Sequence, residues 1–199
     1  MYYRWRDTGR WLCPELEDYT QWNEEEELFD YYTHGGKALD KPLPEIVFQV
    51  STFEGLRERD SLWAGMPYQV FSARLRQALV AAEVANIEYY PAFIQNRQTG
   101  EMISDYRIAN IVGLASCMDW QASRYTPEVD LPGHVEEVTH LVLDPSKLPG
   151  HLHLFRLAEV STVILCDQQV RDVLMERNIV GVELTPVETS SGTQYAAAR

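Results

Sequence analysis

Residues 68–91 can be laid on residues 163–186 at a constant offset of 95, without a gap, and this internal repeat constrains the fold more than any other feature of the chain. Val70-Phe71 falls on Leu165-Cys166, Ser72 on Asp167, Leu75 and Leu79 on Val170 and Leu174, and Arg76 on Arg171. Ile87-Glu88 falls on Val182-Glu183 and Pro91 on Pro186. Each copy has the same physical content. A short β-rich run meets Ser72 or Asp167, whose side chain can accept a free backbone N–H at a helix start. A helix of about ten to twelve residues follows, with Leu75, Leu79 and Ala82, or Val170, Leu174 and Met175, turned toward a core. Asn86 or Gly181 then carries the backbone through left-handed space. A second strand closes at Pro91 or Pro186, which cannot donate to a sheet.

Ile46-Val47-Phe48 lands on Leu141-Val142-Leu143 at the same offset. The period is too long for a solenoid, and two copies predict a two-lobed α+β domain with a mixed β-sheet. That single domain is expected over residues 1–189, with lobes near 1–95 and 96–189, and residues 190–199 form a small, polar to Ala-rich flexible tail. Outside the repeat, Ile46 to Val50, Tyr106 to Val112 with a bend at Gly113, Val138 to Leu143 and Leu152 to Leu157 predict strands. Arg124 to Gly133, with Pro127 and Pro132, predicts a loop.

Charge narrows the partners. Thirty acidic residues against 17 basic give a net charge of −13, which excludes an electrostatic grip on nucleic-acid phosphates and disfavours an anionic membrane. The same balance favours a basic partner. No apolar run reaches the length of about 20 residues that a membrane helix needs. Met1 to Arg6 lacks the apolar stretch of a secretory signal. Cys13, Cys117 and Cys166 form an odd, scattered set without metal-ligand spacing, which suits reduced thiols in a cytoplasmic protein. Between Trp11 and Asp30 there are eight acidic residues and no Lys or Arg. Tyr19, Trp22, Phe29 and Tyr32, with Leu28 beside them, approximate one helix face, and Asp18 with Gln21 suits its cap. Glu24, Glu25, Glu26 and Glu27 then form its outer face, either simply solvated or an acidic docking surface.

Chemistry by motif is sparse. The sequence holds no Gly-rich phosphate loop, no Gly-x-Ser-x-Gly and no His-Glu-x-x-His. Ser72 stands at a strand-to-helix turn, but its repeat partner Asp167 marks it as a cap. His151 and His153 would share one face of a strand and could hold a metal with His134 or His140, yet no further ligand has the right spacing. Asp119 and Ser123 could line a pocket or fold onto one another in a turn. No catalytic set, metal or cofactor is therefore expected.

The blocks Tyr2-Tyr3-Arg4, Val70 to Leu75 with Ile87 to Pro91, Cys117 to Ser123, Leu154 to Leu157, and Val163 to Asp167 with Gly181 to Pro186 come in one order over nearly the whole chain. In that order they resemble a bacterial immunity-protein family, typified by a myxobacterial protein and found beside secreted polymorphic toxins. The resemblance implies a cytoplasmic protein that neutralises a cognate toxin by binding it, without catalysis. Electrostatics alone then points to Glu24–Glu27 as the toxin-binding surface. The alternative is a small cytosolic enzyme with a pocket between its lobes, served by Asp119, Ser123, His151 or His153.

Overall fold

The computed structural model of the chain describes residues 1–8, 35–39, 46–63 and 69–190. In chain order these form β1 (Tyr2–Asp7), β2 (Ile46–Val50), β3 (Ser61–Trp63), β4 (Gln69–Phe71), helix α1 (Ala73–Ala81) and β5 (Ile87–Asn96). The short β6 (Met102–Ile103), β7 (Arg107–Ile111) and β8 (Leu114–Ala115) lead to a hairpin of β9 (Arg124–Pro127) and β10 (Val135–His140). Then come β11 (Val142–Leu143), β12 (Leu154–Leu157), β13 (Val160–Asp167), helix α2 (Gln168–Glu176) and β14 (Val182–Thr189). The class is α+β with mixed sheets, as the repeat predicts.

The two copies adopt the same structure. Ser72 accepts the Leu75 N–H and Asp167 accepts the Val170 N–H, each at 3.1 Å, and each helix runs nine residues. β5 and β14 begin 95 residues apart. Several details differ from the sequence expectation, among them Met175, expected toward the core but 62% exposed because only Val170 and Leu174 of its helix are buried. Asn86 is not the left-handed residue of its copy; Glu83 is, at φ 60°, matched by Asn178 at φ 51°. Nor do the prolines close their strands, since β5 continues to Asn96 and β14 to Thr189. Pro91 pairs with Arg107 of β7 and lies one residue before the described parallel pairing of β5 with β2, which starts at Ala92.

One sheet runs β2-β5-β7-β4-β3 with β6 beside β5, and the other runs β11-β14-β1-β13-β12-β8. The parallel pairs match: Val47 faces Phe93 in the first sheet, and Val142 faces Glu188 in the second, again 95 residues on. The strand between the two repeat arms comes from different places. In the first sheet it is β7, whose Arg107 faces Phe71 and Pro91. In the second it is β1, whose Tyr3 faces Cys166 and Pro186. The first sheet thus runs on to Ile111, and the amino-terminal strand belongs to the second.

Helices α1 and α2 pack together in a core shared by both sheets. Phe71, Leu75 and Leu79 meet their equivalents Cys166, Val170 and Leu174 there, along with Tyr3 and Trp5. Burying each large apolar side chain stabilises the fold by about 1.5–3 kcal/mol. The opposite faces have their own cores, around Phe48, Val70 and Ile94 in one sheet and Met118, Phe155 and Leu165 in the other. Gly113, at φ 133°, carries the chain from β7 in the first sheet to β8 in the second. Asn86 braces that crossing by donating to the carbonyls of Val112 and Leu154. Arg124 to Pro127, expected as loop, pairs as β9 because β10 supplies an antiparallel partner.

Candidate functional site

Glu159 occupies the turn between β12 and β13 and is 2% exposed. Its Oε1 accepts the Ser116 hydroxyl at 2.8 Å and the Met118 N–H at 3.3 Å. Its backbone carbonyl accepts the Val135 N–H at 2.9 Å, which ties the β9–β10 hairpin to the same point. Oε2 is buried and takes no hydrogen bond among the described residues. Leaving such an oxygen unsatisfied costs about 1–3 kcal/mol, and more when the group is charged. Native folds rarely carry that cost without a use for the group.

Glu159 lines a cleft of about 380 Å³ beside the crossing strand, a size within the range of ligand pockets. Leu114, Leu131 and Ala158 give it apolar walls, while Ser116, Ser161, His134 and Lys37 add polar groups. Lys37 is exposed and makes no ion pair among the described residues. The hairpin that forms one edge carries Glu128, Asp130, Glu136 and Glu137, the last three exposed. At its tip Val129 is 88% exposed and Leu131 41%.

The residues singled out from sequence fall elsewhere. Glu24 to Glu27 and the helix expected around them lie outside the described residues, as does Cys13. Asp119 folds onto its own turn, accepting the Gln121 and Ala122 N–H groups at 3.0 Å, and these backbone bonds hold its carboxyl below the usual value. Ser123 is buried and exchanges hydrogen bonds with the backbone of Val142. His151 and His153 precede β12 rather than lying on it, and His153 Nδ1 is 2.7 Å from Oδ2 of the α2 cap Asp167. No group of three metal-ligating side chains gathers among the described residues. None of Asp119, Ser123, His151 and His153 lines the cleft. Burial raises both described thiols, Cys117 to about 12.

Glu159 belongs to no catalytic or binding motif, yet the sequence carries a signal for it. Arg156 and Glu159 interrupt the otherwise apolar run from Leu154 to Val160, and both are 2% exposed. Charged residues in a buried hairpin mark a paired network or a site. Arg156 belongs to a network: it donates to the Ser161 carbonyl at 2.8 Å and approaches Gln69 Oε1 at 3.4 Å.

No match to the chain was found among curated proteins. The model of the immunity protein family Imm11 matches residues 3–189. That span runs from the strand completing the second sheet to the end of β14, so it takes in both copies of the repeat and the cleft between β8 and the hairpins. The chain belongs to the immunity protein family Imm11.

Proposed function

We propose that this immunity protein acts in the cytoplasm of the producing cell, where it binds a cognate secreted toxin and neutralises it by stoichiometric contact rather than by catalysis. The family match over residues 3–189 is the observation that carries this reading. The net charge of −13 supports a basic toxin, because complementary fields speed the encounter of two proteins. Three of the four side chains named for an enzyme are engaged within the fold, Asp119 and Ser123 by backbone and His153 by Asp167. The single domain of residues 1–189 is the unit proposed to bind. Co-expression with the toxin encoded beside it tests the reading. Cells are expected to survive and to yield a co-purifying complex, whereas survival without a complex would contradict neutralisation by binding.

A further inference from the structure

The cleft at Glu159 has three properties that together define its occupant. Glu159 is one of its lining residues, with a buried carboxylate whose Oε2 takes no hydrogen bond among the described residues. Its walls at Leu114, Leu131 and Ala158 are apolar, as the methylene stem of a long cationic side chain requires. The β9–β10 hairpin that supplies Leu131 and His134 to the cleft also carries the exposed acidic residues Asp130, Glu136 and Glu137. A guanidinium fits these best, because its planar fork can donate to a carboxylate and a neighbouring hydroxyl at once. Ser116, bonded to Glu159 Oε1, is that hydroxyl.

We infer that this cleft receives an arginine side chain of the toxin, with Glu159 as its buried counter-ion and the hairpin tip around Val129 and Leu131 as the apolar contact beside it. The inference rests on the toxin-binding reading and specifies its surface. Among the described residues that line the cleft, Lys37 is the one Lys or Arg, and it opposes the guest, so it serves as an internal control on the sign of the charge recognised. Its loss tightens binding of a cation and weakens binding of an anion.

The first arm needs no toxin. N-acetyl-arginine amide is titrated into the whole chain and followed by amide NMR, with the norleucine and glutamate analogues as comparators. The arginine probe is expected to give saturable shifts at Ser116, His134 and Ser161 that the norleucine probe does not. Glu159→Gln should weaken that binding about tenfold or more, the loss of a charged hydrogen bond. Lys37→Ala, on an exposed side chain that leaves the fold untouched, should strengthen it. Absence of saturable shifts, equal affinity in E159Q, or preference for the glutamate probe would overturn the inference.

The second arm uses the toxin encoded beside the chain. If the wild type binds it and E159Q binds at least about tenfold more weakly while K37A binds as tightly or tighter, the cleft is the arginine site. Equal affinity of the wild type and E159Q would refute the cleft and leave immunity by binding intact. Failure of the wild type itself to bind would overturn both.

Discussion

Glu83 and Asn178, separated by 95 residues, both turn the backbone into left-handed space one residue past a helix cap, at φ 60° and 51°. The equivalence shows that the duplication extends to backbone dihedrals at the ends of the helices, where side-chain identity has been lost. Asn takes such a conformation at little cost and Glu does not. Glu83→Gly is therefore expected to stabilise the protein by about 1 kcal/mol, and Asn178→Gly to change it little. The bond from Gln169 to Glu83 lies at the surface and offsets little of this gain. Urea denaturation checks both, and a loss of stability in Glu83→Gly would contradict the assignment.

Asp60 joins the two copies. Its carboxylate accepts from Ser72 at 2.7 Å, from Arg74, and from the Val180 N–H at 2.8 Å. Burial raises its carboxyl, but Arg74, Val180 and Ser72 together outweigh burial and hold it below the ordinary value. Because the folded value lies below the unfolded one, this stabilisation is complete above the unfolded value. It is lost as pH falls through the folded value. Asp7 is the opposite case: burial outweighs the bonds from Ser61, Trp5 and Gln69 and raises its carboxyl. Asp7 favours the folded state below its unfolded value and loses that contribution as pH rises through its folded value. At pH 7, Asp60→Asn should cost about 2 kcal/mol, whereas Asp7→Asn should leave stability unchanged or raise it. Melting curves from pH 3 to pH 8, taken with both variants, separate the two groups. Equal losses at pH 7 would refute the contrast.

Cys117 and Cys166 are free and buried, in different cores, and burial raises both thiols. Alkylation depends on the thiolate. Iodoacetamide at pH 8 is expected to modify both at least about a hundredfold more slowly in the native protein than in urea. Peptide mass spectrometry reads each site separately, and rapid native labelling at either one would show that its core opens.

The repeat was legible because its signals are local. A cap three residues before a bonded N–H, a hydrophobic side every third or fourth residue, and a strand beyond can all be read within 24 residues. The strands at Val47 and Val142 were visible for the same reason, but their parallel pairing with β5 and β14 was not. The place of β1 was not, since Tyr3 pairs with Cys166 and Pro186, and nothing near Tyr3 encodes partners that distant. Asn86 suggested a turn from its residue type alone, while its actual role depends on Val112 and Leu154 arriving from two sheets. Glu159 became a candidate only when three separate segments closed around it: the stretch at Ser116 and Met118, the β12–β13 turn, and the hairpin at Val135.

The acidic run Glu24–Glu27 remains the second proposed contact with the toxin, on charge alone. If the run faces the toxin, replacing all four with Gln should leave the melting temperature unchanged, because exposed charges contribute little to stability. Association with the toxin should slow, and most clearly at low salt, where surface fields reach furthest. Stopped-flow binding at two ionic strengths tests this. An equal on-rate for the wild type and the fourfold variant at both salts would remove the run from the interface.

Neutralisation by binding is tested most directly by titrating the purified chain into a fixed amount of active toxin while toxin activity is followed. The account predicts that activity falls linearly and vanishes at one equivalent, with a complex of the two chains recovered intact. Loss of activity at a small fraction of an equivalent, or with no complex formed, would contradict it and point to catalysis instead.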